Sequence, residues 1–378
     1  RDPLNCSWQD DTTVQKAWSY AIAGMQNIVT LSKSSSTLVS DSDYDTVVVT
    51  SSSGGSITVE STNENIVHAE VNGSVITLTP GPAAFKGTAS VLVIVAGSSI
   101  YEPGVASISV SKNYGIDIVS WSSGTDAEIV GMVQAADRGD IDLRDFWHVG
   151  DERTVRIAAI PASGSNDYGA WNVPDSHIAQ DVTMVLMDTD HYELVTPVLD
   201  KNKNVRNRCS FVVGLKNTLL ETGRMWLNSD VATWDYPYDS NGNHRHSWLN
   251  RAFAAAIPST LIDIFKTFKV ISATATKSTE LTVTEDLFSL FAAREVFDTY
   301  SNNISTEQEW NALSQIEYYK TAANRQKVSG SGSTNETWWT RSVKSNDTIC
   351  KYTCVDASGN NTFSSSTSSQ SIAPFGCI

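Results

Sequence analysis

The sequence lacks an apolar run long enough to cross a bilayer. Its most apolar stretch, Ala89 to Ala96, has the length of a strand, whereas a spanning helix needs about 20 such residues, so no membrane insertion is expected. The chain opens at Arg1 without a charged segment and apolar core behind it, and no secretion signal is read there. Cysteine is scarce. Five residues (Cys6, Cys209, Cys350, Cys354, Cys377) in 378 are too few, and odd in number, for the disulfide framework of a small secreted scaffold. On a strand over Lys351 to Val355 the closest pair, Cys350 and Cys354, would sit about 13 Å apart, too far for a bridge. No two further ligands cluster beside them for zinc, so reduced or partly buried thiols are expected. Basic charge is short as well, with 27 Lys and Arg against 42 Asp and Glu, a net charge of −15. That sign excludes a chain that grips phosphate backbones, and nucleic acid is not an expected partner. There is no G-x-S-x-G elbow, H-E-x-x-H, Walker loop or Rossmann glycine phrase, and the six histidines stand in unrelated contexts. An enzyme is not expected, nor any cofactor or metal.

What is present divides the chain. Residues 1–27 read as an amino-terminal helical segment: Thr12 or Thr13 can cap it, and Val14, Ala17, Trp18, Ala21 and Ile22 recur at helical spacing before Gly24. Residues 28–113 are short β-branched runs separated by Ser, Gly and Asn: 46–50, 56–60, 66–71, 75–79, 89–95 and 104–111. Asn72-Gly73 between two of them predicts a type I′ hairpin turn, because both residues tolerate positive φ. A small antiparallel sandwich follows. The order "SITVES…NIVHAEVNGSVITLTP…GTASVLVIVAG" resembles a bacterial immunoglobulin-like domain, a resemblance that covers about a fifth of the chain and implies a spacer or weak adhesive module. Asp41, Asp43 and Asp45 alternate like the start of a calcium loop but lack its Gly and Glu, and read as a solvated acidic turn.

Residues 114–378 have a different texture. Asp126 to Arg138 predicts an amphipathic helix stopped by Gly139, which makes Arg138-Gly139-Asp140 a helix end rather than an integrin signal. Strands are predicted over 154–159, 182–187 and 210–213, and helices over 248–256, 259–268, 286–297 and 307–322. The expected fold class is therefore multi-domain, an all-β immunoglobulin-like sandwich followed by an α+β domain.

Eight phrases in fixed order carry a second resemblance, among them "GDIDLRDFWHVGDERTVRI", "SWLNRAFAAAIPSTLIDIFKTFKV", "DLFSLFAAREVF", "WWTRS" and "IAPFGCI". Together they resemble a poorly characterised family found in phages of gut bacteria and in bacterial surface proteins. The resemblance spans about 115–378. It implies a C-type-lectin-like fold, related to formylglycine-generating enzymes and to diversified phage receptor-binding proteins. The spacing of Cys350, Cys354 and Cys377 does not match those enzymes, and no catalytic phrase carries over. Arg341 is the kind of side chain a lectin-like core pairs with a buried carboxylate, so the W-W-T-R-S phrase reads as mainly architectural.

Two polar segments, 228–247 and 329–371, are too long to be simple connections. The first carries Trp234, Tyr236, Tyr238, Asn241, Asn243 and His244; the second carries Asn346, Asp347, Tyr352, Asn360 and Phe363. Aromatics give contact area at low entropy cost while amides adapt their hydrogen bonds, so these residues are the expected ligand-binding set. Rings stacking on pyranose C–H faces suit a sugar. His244 and His246 alternate as two metal ligands on a strand would, but no third ligand phrase accompanies them. Asp188, Asp190, His191 and Glu193 read as a turn in preference to a calcium position. The expectation is a virion-associated phage protein, a tail fibre tip or receptor-binding subunit that recognises a host cell-surface glycan or protein. It would contact other virion proteins and be a homotrimer by analogy with fibres. The alternatives are a capsid or tail decoration protein and a secreted bacterial surface adhesin. Acidic excess is shared, ten acidic against five basic residues up to residue 115 and 32 against 22 beyond it, so it serves solubility rather than either domain's function.

Overall fold

The computed structural model describes residues 25–166, 169–172, 176–219, 245–273, 280–300, 305–329, 332–344, 351–365, 368 and 370–378. The chain divides into two compact units, at Ile118 and Val119. The described parts are mostly β-sheet with a few short helices.

The first unit holds two four-stranded sheets. One runs in the order Val29–Leu31, Asp45–Ser51, Val75–Pro80, Val67–Asn72; the other runs Ser35–Leu38, Gly104–Lys112, Gly87–Val95, Ile57–Ser61. Alternation places Val47, Val49, Ile76 and Leu78 of the first against Val91, Val93, Ile108 and Val110 of the second in one core. The predicted runs are all strands, within one to two residues at their ends. The hairpin differs in one respect. Asn72 pairs with Val75, so Gly73 and Ser74 form the two-residue loop, and only Gly73 takes positive φ (62°). This is the pattern of a type II′ turn, with Gly first, in place of the I′ turn over Asn72-Gly73. Asp43 accepts a bond from Val39 N and Asp45 from Ser36, which makes the acidic run a hydrogen-bonded turn.

The second unit is built on a five-stranded antiparallel sheet ordered Phe288–Ser289, Phe375–Cys377, Val212–Leu215, Gln180–Asp188, Glu152–Ile157. A four-stranded sheet runs Val205–Arg208, Glu193–Leu199, Phe268–Ala273, Leu281–Asp286, and a three-stranded one Trp338–Val343, Lys351–Val355, Asn361–Ser365. The helix Asp126–Asp137 starts on a capping box, with Thr125 and Glu128 satisfying each other's backbone amides. Gly139 ends it at φ 70°, where an added Cβ would stand 2.1 Å from Asp200 O. Arg138 and Asp140 on either side pair with each other at 3.0 Å, so the tripeptide is tied up locally.

Two helical expectations fail here, and a third, 307–322, is broken into the helix Glu307–Ala312 and a 3₁₀ turn at Glu317–Lys320. Only Ile262–Ile264 of 259–268 is helical, as one 3₁₀ turn, and Phe268 already begins a strand. Period-two burial along Phe268–Ala273, matched in register to Leu281–Asp286, overrides the helical reading. In 286–297 only Ala293–Val296 is helical, because Leu290 O accepts Arg341 Nη1 instead of a helical amide. Helix is correspondingly sparser than an α+β reading expects. The core of this unit gathers Val185, Met187, Phe268, Phe291, Tyr319, Trp338 and Phe375. Cys209, Cys354 and Cys377 are free and buried within the unit.

Candidate functional site

The four-stranded sheet of the second unit positions one residue from each strand in a single rung. Arg208 is the register partner of Glu193, Leu194 pairs with Phe268 so that Glu193 neighbours Lys269, and Lys269 is the partner of Glu285. The signs alternate across all four strands, so each charge neighbours its opposite. Glu193 accepts a bond from Lys269 Nζ at 2.5 Å, which with the nearby Arg208 charge holds its carboxyl below the usual range. Two residues along the same face, Ile271 and Val283 are register partners, and Val283 is 56% exposed.

A cleft of about 610 Å³ opens on this face. It is walled by the rung residues Arg208, Glu193 and Lys269, by Ile271 and Val283, and by Ala312 to Ser314 at the end of the helix Glu307–Ala312. This size lies within the usual range of small-ligand sites.

His191, which also lines the cleft, joins it to a buried charge network. Its Nδ1 lies 3.0 Å from Asp188 Oδ2 and its Nε2 3.8 Å from Glu295 Oε1. Glu295 is fully buried and receives both arms of the Arg341 guanidinium, at 2.7 and 3.0 Å. Arg341, 1% exposed, spends its remaining donors on Leu290 O and Ile271 O. Every polar group of the pair is thereby engaged, the condition under which an ion pair is tolerated in a core. Ile271 is also a cleft residue, so Arg341 braces the cleft floor through the backbone. Burial pulls the His191 imidazole toward neutrality, but the hydrogen bond to Asp188 and the Glu295 carboxylate outweigh it and push its pKa up to about 9. Burial likewise opposes ionisation of Glu295, yet the Arg341 charge and His191 hold it down at about 2. The nearby Glu309 goes the other way. Burial raises it, and it accepts a bond from Ser305 Oγ at 2.5 Å.

These shifts fix a pH dependence. The folded pKa of His191 is raised above 6.5, so its contribution is complete below pH 6.5 and is lost as pH rises through about 9. That of Glu295 is depressed below 4.5, so its contribution is complete above pH 4.5 and is lost as pH falls through about 2. The difference in urea midpoint between the wild type and His191→Gln should be constant from pH 4.5 to 6.5 and shrink steadily toward pH 9. A difference that grows over the alkaline range would contradict the assignment.

The expected ligand-binding residues are distributed otherwise. Trp234, Tyr236, Tyr238, Asn241, Asn243, His244, Asn346 and Asp347 lie outside the described residues. Tyr352 is a correction: it is fully buried and meets Trp339 edge-on, on a strand whose residues from Tyr352 to Val355 are all buried. Asn360 is exposed in a turn closed by Asp356, and Phe363 is 45% exposed with Lys344 Nζ 3.8 Å from its ring. His246 stands in the helical segment that starts at Arg245 rather than on a strand, and is buried against Asp286 at 2.5 Å. The two-histidine metal face therefore falls away. Among the described residues, no group of three His, Cys, Asp or Glu side chains could hold a metal ion.

Of the cleft residues, only His191 and Glu193 drew notice in the sequence, as parts of a turn. Arg208, Lys269, Ile271, Val283 and Leu313 carried no signal of their own, because strand register assembles them. Comparison with protein-family models, curated proteins and solved structures returns no match to the chain. Among the described residues no helix is long and apolar enough to cross a membrane.

Proposed function

We propose that the protein is a virion-associated phage receptor-binding protein. In this reading an immunoglobulin-like first unit acts as spacer, and a C-type-lectin-like second unit recognises a host cell-surface ligand through the cleft on its four-stranded sheet. One observation carries recognition over catalysis. The histidine in the cleft wall has its two ring nitrogens directed at Asp188 and Glu295, at 3.0 and 3.8 Å, so both are committed within the fold rather than to a reacting group. The sandwich of the first unit, with alternating Val and Ile inward and Ser and Thr outward, suits a spacer.

The test is binding of the fluorescently labelled full chain to a panel of gut bacteria, read by flow cytometry beside Val283→Arg. Val283 is exposed, so arginine there obstructs the cleft without disturbing the core. Host-selective binding that falls at least tenfold in the variant is expected. Absence of cell binding, with stoichiometric binding to purified capsids or tail tubes, would establish a decoration protein instead.

A further inference from the structure

We infer that the cleft takes a carboxylated saccharide, with Arg208 as the residue that receives the carboxylate; this rests on the recognition reading above. The other ionised groups of the cleft are already answered within the fold. His191 faces Asp188 and Glu295, and Lys269 is held by Glu193. Nearby Asp190 is engaged by Arg144 and Arg206. Arg208 differs from these. Its Nη1 donates to His191 O at 2.6 Å, with a longer contact to Asp190 O at 3.5 Å, and among the described residues no carboxylate pairs with it. Glu193, its register partner, gives its oxygen to Lys269.

The backbone bond at Nη1 orients the guanidinium without neutralising it. Among the described residues no hydrogen bond engages its Nε or Nη2, and Arg208 lines the cleft, so this edge of the fork remains for a ligand. A planar fork of two N–H donors matches the two oxygens of a carboxylate. Ile271, Val283 and Leu313 line the same cleft, with Ile271 and Val283 on the strands beyond Glu193, and give it an apolar side away from the charge. A ligand that satisfies both needs one carboxylate and an extended C–H face. A uronic acid ring has this form: its carboxylate lies at one end of a pyranose whose axial hydrogens make a flat apolar surface. Ser314 and Glu193 also line the cleft and supply a hydroxyl and a carboxylate oxygen of the kind that ring hydroxyls take. A polyanion fits less well, because the one cation without a carboxylate of its own stands beside Glu193, and the rung ends in a second carboxylate, Glu285, on the far edge strand.

The experiment is saturation-transfer NMR and calorimetry on the full chain with D-glucuronic acid and D-glucose, for the wild type, Arg208→Gln and Arg208→Lys. Arg208 is exposed, so the variants should keep the wild-type urea midpoint. Glucuronate is expected to bind at least tenfold more tightly than glucose. Arg208→Gln should remove that preference, and Arg208→Lys should restore only part of it, because lysine returns the charge without the fork. Equal binding of the two sugars, or a preference indifferent to Arg208→Gln, would overturn the carboxylate assignment. So would the absence of binding by either sugar. Cell binding that still falls in Val283→Arg would then keep the recognition reading standing, whereas its loss from the wild type would remove both.

Discussion

Arg341→Met should destabilise the second unit by about 3–5 kcal/mol, the cost of leaving a buried carboxylate without its partner. Glu295 has no exposed surface and cannot recover the loss by turning to water. His191, 3.8 Å away, is the remaining cation near it. The guanidinium also satisfies Leu290 O and Ile271 O, and each buried carbonyl left open adds about 1–3 kcal/mol at most. Against a total stability of about 5–15 kcal/mol, this is enough to unfold much of the unit at physiological temperature. Glu295→Gln should cost a comparable amount for the mirror-image reason. Combining Arg341→Met with Glu295→Leu removes both charges, and the double variant should be markedly more stable than the sum of the single losses, though below wild type because the two carbonyls stay open. Urea unfolding followed by tryptophan fluorescence reads all three. A loss under about 1 kcal/mol in Arg341→Met would mean that water reaches Glu295, and the cleft would then lack its brace.

The same pair shows how much the sequence discloses. That Arg341 meets a buried carboxylate was what the lectin-like resemblance of W-W-T-R-S implied. That the carboxylate is Glu295 was not, because "DLFSLFAAREVF" reads as one helix and nothing in it singles out Glu295. The arginine claims Leu290 O and Glu295 together, and tertiary hydrogen bonds replace most of that helix. In the first unit, six strands could be read because Val and Ile alternate with Ser and Thr over five residues or more. Val29–Leu31 and Ser35–Leu38 escaped, since three or four residues rich in Ser give no period, and Ser36 is buried through its bond to Asp45 rather than through apolarity. The cleft escaped for a reason of another kind. Composition singles out loops dense in aromatics and amides, whereas the rung Arg208, Glu193, Lys269, Glu285 takes one ordinary charged residue from each of four strands. Only register brings them into line. Local pattern therefore gives strands and cores, and a site assembled across strands stays silent until the pairing is known.

Phe375→Ala should cost about 3–5 kcal/mol, because the side chain is 1% exposed and the cavity it leaves cannot refill. Phe375 lies stacked on Phe291 at 4.2 Å and on Tyr192 at 5.1 Å, with Phe268 at 5.4 Å. Such ring pairs contribute about 0.5–1.5 kcal/mol each beyond burial. Its strand, Phe375–Cys377, lies between Phe288–Ser289 and Val212–Leu215, so no sheet edge can relax into the void. Phe363→Ala supplies the contrast. That ring is 45% exposed, and its removal should change stability by no more than about 0.5 kcal/mol. Two of the rings on Phe375 adjoin the rung directly: Tyr192 precedes Glu193, and Phe268 precedes Lys269. A core defect at Phe375 therefore reaches the cleft through the two central strands. Phe375→Leu keeps most of the volume and should leave the unit folded at 25 °C while loosening that rung, so glucuronate affinity should drop severalfold with little change in the urea transition. If affinity instead followed stability in strict proportion across Phe375→Leu and Phe375→Ala, the aromatic cluster would serve only to hold the unit folded and would have no part in placing Glu193 and Lys269.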